Sequence, residues 1–274
     1  MALTAPVRRA PRWRPSPLLA ASAAWHAAAL CLTVARPRLW PWTLGGLAAN
    51  HLWLTAAGLW PRSQVLGPNW VRLPDVPAAR NAVAITIDDG PDPGVTPQVL
   101  DILRAAGARA TFFCVGRRAL AHPDLTAEIV RQGHAVENHS FAHSHTFSLQ
   151  GPRALHAEIG RAQDCFLSLT GVRPRFFRAP AGLRNPFLEP VLCALQLRLA
   201  SWTRRGFDTV ATDPALVLRR LEKGLQGRDI LLLHDGHAAR GKEGLPVILD
   251  VLPRLLEDCA AAGLGTMLLR DAEG

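Results

Sequence analysis

The sequence predicts an α/β chain in which an apolar helical hairpin precedes a barrel-like domain of about seven strands, and three observations carry that expectation. Two uncharged apolar runs, of 18 and 22 residues, lie between residues 18 and 60. From Asn81 onward, short β-branched runs alternate with helical patterns of period near 3.6, as expected for repeated βα units around a parallel sheet. The reactive polar residues gather where those strands end, which is where a βα barrel places its chemistry.

At 274 residues the chain has room for one α/β barrel with an appendage, or for two small domains. A hydrophobic share of 49% and a charged share of 19% exclude a disordered chain and a many-span membrane protein. The formal net charge of +9 invites a nucleic-acid reading, yet residues 1–80 hold nine Arg against one Asp, and residues 81–274 hold 22 basic and 21 acidic side chains. The excess therefore sits beside the apolar runs, so the expected partner is an anionic membrane lipid surface and not nucleic acid. Five cysteines (Cys31, Cys114, Cys165, Cys193, Cys259) are odd in number and never form a C-x-x-C pair, so neither a disulfide framework nor a thiolate zinc site is indicated.

Residues 1–62 form the expected membrane segment. Arg8, Arg9, Arg12 and Arg14 precede the run 18–35, Arg36-Pro37-Arg38 makes the turn, and the run 39–60 ends before Arg62. Both lengths bracket the roughly 20 residues that a spanning helix needs. Trp13, Trp40, Trp42, Trp60 and Trp70 flank the runs, where indoles sit at headgroup level. A cleaved signal peptide for the first run, or a buried core helix for the second, is the alternative. Four Arg before the first run against two in the turn predict a cytoplasmic N-terminus in the inner membrane, and two spans return the remainder to the cytoplasmic side. Loss of one span reverses that side. Residues 63–80, spaced by prolines, read as a linker to a catalytic domain over 81–274.

Strands are expected over 82–87, 110–115, 134–137, 176–177, 197–202, 230–233 and 266–269. Helices fall between them: one with Thr96 as N-cap and Pro97 in the first turn, stopping at Gly107; one from Asp213-Pro214; and one over about 246–262. Four strand ends carry polar clusters. They are Asp88-Asp89-Gly90-Pro91, His139-Ser140-Phe141-Ala142-His143, Arg178-Ala179-Pro180-Ala181-Gly182 and His234-Asp235.

Adjacent carboxylates raise each other's pKa unless a cation lies between them. Two His at i, i+4 with one carboxylate make a three-ligand metal site with positions left for water and substrate. Taken alone, the aspartate cluster is an ordinary turn and the two histidines are surface residues; all four clusters in order are not explained that way.

This ordered set resembles the polysaccharide deacetylase family, the NodB-homology domain of carbohydrate esterase family 4, over about 81–270. Thr86-Ile87-Asp88-Asp89-Gly90-Pro91 matches its first motif with Ile for the usual Phe, His139 to His143 its H-[ST]-x-x-H, Arg178 to Gly182 its R-x-P-x-G, and Leu232-Leu233-His234 its L-x-H. The resemblance implies a distorted (β/α) barrel with fewer than eight strands. It implies Asp88 as general base, Asp89, His139 and His143 as ligands of one divalent ion (zinc first, then cobalt, nickel or manganese), and His234 as general acid. Asp208 matches the acidic residue that supports that histidine, and Arg178 the arginine that orients the base. Ala181, through its backbone N–H, and Leu232 fall at the substrate and oxyanion positions. The implied reaction is removal of an N-acyl group, above all N-acetyl, from an amino sugar in a glycan or a lipid-linked saccharide.

Two positions depart from the family pattern. Ala181 and Thr209 stand where aromatic residues are common, so two walls that would pack on a sugar ring are missing. His145 and His237 read as loop residues, and Glu137 and Asn138 as supports of the ligand turn. The rival readings are a phosphatase with tandem aspartates, a different metal-dependent amide or ester hydrolase, and a membrane-tethered carbohydrate-binding protein on an inactive barrel. Asp88-Asp89 lacks the D-x-D spacing of the phosphatase, and the filled base, ligand and acid positions speak against the inactive barrel.

Overall fold

A computed structural model describes residues 13–273. Arg8, Arg9 and Arg12, which carry most of the orientation argument, lie outside the described residues.

Seven parallel strands form a curled half-barrel. They are β1 (Ala82–Asp88), β2 (Ala110–Cys114), β3 (Ala135–Asn138), β4 (Phe176–Phe177), β5 (Arg198–Leu199), β6 (Arg204–Arg205) and β7 (Ile230–His234), in the order β5-β4-β3-β2-β1-β7-β6. A two-residue β8 (Gly265–Thr266) pairs with the start of β1. The distorted barrel expected from the resemblance is present, with its strands shorter than predicted at β5 and β8. β6 was not anticipated at all.

Alternation along β1 and β7 separates two apolar layers. Val83, Ile85, Ile87, Leu231 and Leu233 face outward into a cluster with the surrounding helices. Ala82, Ala84, Ile230 and Leu232 join Phe113 and Phe176 in the barrel interior. Because side chains on a strand alternate with period 2, Thr86 and Asp88 follow Ala84 inward, and His234 follows Leu232.

The outer layer is built from α3 (Thr96–Ala105), α4 (Gly116–Ala121), α5 (Pro123–Arg131), α6 (Pro152–Thr170), α7 (Leu188–Ala194), α8 (Pro214–Glu222) and α9 (Val247–Ala261). Helix α8 starts as predicted, with the Asp213 carboxylate accepting from Ala215 N at 3.0 Å. Helix α3 does not use its threonine as a cap. Thr96 is its first helical residue, and its hydroxyl accepts from Asp92 N (2.7 Å) and donates to Asp235 Oδ2 (2.5 Å).

Residues 69–73 lie across the open side of the half-barrel, from edge strand β5 to the residues that lead into β7. Trp70 N donates to Leu199 O and Ser201 N to Trp70 O, both at 2.9 Å, on the β5 side. Leu73 N donates to Arg228 O at 2.9 Å, and Arg72 pairs with the buried Asp229 at 2.7 Å, on the β7 side. A stretch that reads as a linker by its prolines thus satisfies backbone groups that an open sheet would leave exposed.

Ahead of the barrel, α1 (Pro17–Ala35) and α2 (Trp40–Leu59) pack side by side across a short turn. Three polar contacts join them: Asn50 Nδ2 donates to Ser22 Oγ (2.9 Å), the Nε2 atoms of His26 and His51 lie 3.3 Å apart, and the hydroxyls of Thr33 and Thr43 are 2.9 Å apart. The residues that make the second run less apolar therefore face the partner helix, where each meets a polar partner. The opposite faces expose Leu30, Val34, Trp42, Leu44, Leu52 and Trp53. Among the described residues, α1 is the one helix long and apolar enough to cross a membrane by length and composition.

Candidate active site

The four polar clusters meet at the C-terminal ends of β1, β3, β4 and β7. Register places Asp88 directly beside His234 on the neighbouring strand. Asp88 is held from the other side by Arg178, whose Nη1 donates to Asp88 Oδ1 at 2.6 Å and to Thr86 Oγ1 at 2.8 Å. Arg178 is fully buried, with Nε donating to Ala200 O (3.2 Å), Nη2 to Ser201 O (2.6 Å), and the guanidinium 4.1 Å from the Phe113 ring centre. A planar fork pinned at all its nitrogens leaves Asp88 one orientation.

Asp89, His139 and His143 converge so that one ligand atom from each lies within 4.8 Å of the others. His139 Nδ1 donates to Arg178 O at 2.7 Å, which fixes the proton there and leaves Nε2 with its lone pair. That Nε2 is 3.3 Å from Asp89 Oδ1, and His143 Nε2 is 3.1 Å from the same oxygen. Asp89 Oδ1 is buried and has no hydrogen-bond partner. In a tetrahedral zinc site with bonds of roughly 2.0–2.1 Å, adjacent ligand atoms stand about 3.3 Å apart, so the spacing and the orphaned oxygen both fit a divalent ion. Burial works against charge on Asp89, but the neighbouring His139 and His143 hold its pKa far below the usual carboxylate range. Burial likewise opposes charge on His139, and Asp88 and Asp89 overcome it, raising its pKa. Asn138 braces the turn, its Oδ1 accepting from Ser140 N (2.9 Å) and its Nδ2 donating to Gln163 (3.0 Å). Glu137 accepts from the backbone N–H groups of Arg175 (2.7 Å) and Phe176 (2.8 Å) and so fixes the entry to β4.

His234 is clamped by Asp208, which accepts from His234 N (2.7 Å) and from Nδ1 (2.9 Å). Nε2 is thereby turned away from Asp208. Burial opposes the imidazolium, and the Asp208 carboxylate outweighs it, so the pKa of His234 is raised. Ala181 is exposed, in the left-handed conformation (φ 54°). Left-handed non-glycine residues concentrate here: Asp89, Ser140, His143, Ala181, Phe207 and His237. Each costs on the order of 1 kcal/mol, and such strain persists where surrounding structure over-determines it, often at functional sites.

Leu232 does not line the mouth. It is 1% exposed within the interior cluster and supports the site from beneath. His145 is exposed and outside the ligand group, as expected. Sequence reasoning treated His237 as a loop residue, whereas its Nδ1 lies 3.4 Å from Asp89 Oδ2 and its Nε2 3.0 Å from Arg118. An arginine can only donate, so Nε2 is the acceptor and the proton sits on Nδ1, facing Asp89. Phe207 was also missed. It is 45% exposed beside Asp208, with the Arg205 guanidinium 4.8 Å from its ring centre, and offers an aromatic surface near the position that Thr209 leaves bare.

The fold and the strand-end cluster define a hydrolase of the carbohydrate deacetylase class. Residues 75–200 match the family model described as polysaccharide deacetylase. The chain is 33% identical over 183 residues to a peptidoglycan-N-acetylglucosamine deacetylase of Bacillus cereus, covering 66% of this chain and 84% of that one. It is 35% identical over 158 residues to a chitooligosaccharide deacetylase of Azorhizobium caulinodans, covering 57% of this chain and 75% of that one. Among solved structures, a family 4 carbohydrate esterase from Streptomyces lividans in complex with acetate superposes with a TM-score of 0.62 at 29% identity, over 69% of this chain and 93% of that one. The chain belongs to the polysaccharide deacetylase family.

Proposed function

We propose that the protein hydrolyses the N-acetyl group of an amino sugar in a glycan or saccharide, with Asp89, His139 and His143 holding one divalent ion, zinc by preference. The observation that carries this reading is Asp89 Oδ1, buried and unpartnered between two imidazole Nε2 atoms. When bound, the ion supplies Lewis-acid polarisation of the amide carbonyl and acidification of a water.

The rest falls to the chain itself. Asp88, fixed by Arg178, accepts the proton of the attacking water, and its free oxygen lies on the triad side, 3.8 Å from His139 Nε2. The Ala181 N–H, on an exposed left-handed turn, donates to the oxygen that gains charge. His234, kept protonated by Asp208, delivers its Nε2 proton to the departing nitrogen, because an amine is too basic to leave as an anion. The C–N bond breaks, and acetate and a free amino sugar result.

Helices α1 and α2 together cross the bilayer, with polar groups turned toward each other and apolar groups toward lipid, and the exposed Arg14 and Arg62, at the barrel end of the pair, face anionic headgroups on the cytoplasmic side. The test is acetate release from N-acetylated chitooligosaccharide by the full chain, stripped of metal and then reconstituted with zinc. Release that depends on zinc is expected; none from the reconstituted protein would overturn the reading.

A further inference from the structure

Resting on the deacetylase reading above, we infer that the hairpin holds the catalytic mouth at the bilayer surface and that the amino sugar is the headgroup of a membrane-embedded lipid. The hairpin is not joined to the barrel by a free tether. At the last turn of α2, which ends at Leu59, and just past it, the chain is fastened onto the loops that follow β4 and β5. Arg184 N donates to Gly58 O at 3.1 Å, and Arg184 Nη2 donates to Ser63 O at 2.5 Å. Asn69 Nδ2 bridges the carbonyls of Pro61 (2.9 Å) and Ser63 (3.0 Å), and Arg62 Nη1 reaches Thr203 O at 3.2 Å. At Gly182, itself at φ 74°, a Cβ would stand 2.7 Å from Pro61 Cβ and 2.6 Å from the Trp202 ring, so only glycine lets the stem close on this loop.

The same loops carry the chemistry. Three successive hydrogen bonds run from the site to the stem: Asp88 Oδ1 to Arg178 Nη1 (2.6 Å), Arg178 Nη2 to Ser201 O (2.6 Å), and Ser201 Oγ to Pro61 O (2.7 Å). One guanidinium and one serine thus separate the candidate base from the residue that follows Trp60.

The level of the bilayer is set by the other end of this connection. A 19-residue helix such as α1 rises about 28 Å, close to the roughly 30 Å of hydrocarbon in a bilayer. Trp13 and Trp60 are exposed (42% and 62%) at the barrel end of the pair, and Trp40 and Trp42 (58% and 79%) at the far end, the two depths where indoles sit in headgroups. The headgroup layer at Trp60 therefore adjoins the mouth, and the hydrogen-bonded stem denies the barrel the swing that a distant polymer would require. An amino sugar carried on a lipid is presented at that height.

The experiment uses the full chain in phospholipid vesicles and compares acetate release from three probes: N-acetylglucosaminyl diacylglycerol in the same vesicles, soluble chitotetraose, and peptidoglycan sacculi. We expect kcat/KM for the glycolipid to exceed that for chitotetraose by about 100-fold or more, the range that co-localisation supplies. Inserting ten Gly/Ser residues between Trp60 and Pro61 should cut the glycolipid value at least about tenfold, toward the soluble one, since a flexible joint dilutes and disorients the mouth. Chitotetraose or sacculi turned over as well as the glycolipid would overturn the inference and leave the deacetylase reading standing. Failure to release acetate from any probe would remove both.

Discussion

Asp88 and His234 are register partners on adjacent parallel strands, β1 and β7, and both side chains point into the barrel. Each is then held by a different buried residue, Asp88 by Arg178 at 2.6 Å and His234 by Asp208 at 2.9 Å. A proton acceptor and a proton donor stand side by side without neutralising each other, because each has its own counter-charge.

This separation predicts distinct losses. Asp88→Asn should retain bound metal, measured by atomic emission, while kcat falls by about 10² to 10⁴, the usual worth of general-base catalysis. If metal is lost in proportion to activity, Asp88 is a ligand and the roles of the two aspartates are exchanged.

Asp89→Asn, His139→Ala and His143→Ala should each lower zinc affinity by about tenfold or more in a chelator competition, since a three-ligand site has no spare donor. His145→Ala should leave that affinity unchanged. Equal affinities in all four variants would remove the triad as a metal site.

The pH profile follows from Asp208. Burial disfavours the His234 imidazolium and Asp208 overcomes it, so the folded-state pKa lies above the ordinary value and the acid form persists to higher pH. Activity is present below that pKa and lost as pH rises through it. In Asp208→Asn the alkaline limb of kcat/KM should move to lower pH, with zinc content unchanged. An unmoved limb would assign it to another group.

Stability has its own pH dependence through His134, remote from the ligands. Burial, with Arg109 nearby, lowers its pKa to about 4, and its Nδ1 accepts from Ala110 N at 3.2 Å. The unfolded chain binds the proton first. Stability from this group is therefore complete above about 6.5 and lost as pH falls toward about 4, by roughly 3 kcal/mol. Denaturant unfolding of His134→Gln should show a correspondingly flatter pH dependence than the parent; parallel curves would count against it.

Topology is read by C-terminal reporters. With two spans and a cytoplasmic N-terminus, an alkaline phosphatase fusion should be inactive and a fluorescent-protein fusion bright. The reverse would place the barrel across the membrane.

The sequence by itself determined the elements whose signals are local. The short apolar, β-rich runs of β1 and β7 marked both strands, and so placed Asp88 and His234 at their C-terminal ends. The i, i+4 histidines, the Asp213 cap and the two apolar runs are likewise readable within a few turns of chain. Tertiary structure alone decided what no local period records. Strands β4, β5, β6 and β8 are two residues each, too short for alternation to show, and β6 went unseen. Residues 69–73 became the bridge from β5 to the entry of β7 because their partners, Leu199 and Arg228, are more than a hundred residues away. Thr96 left its expected capping position for Asp235, His237 met Asp89, and Asn50 and His51 became contacts between helices, each because burial leaves a polar group no partner except the one that the distant chain supplies.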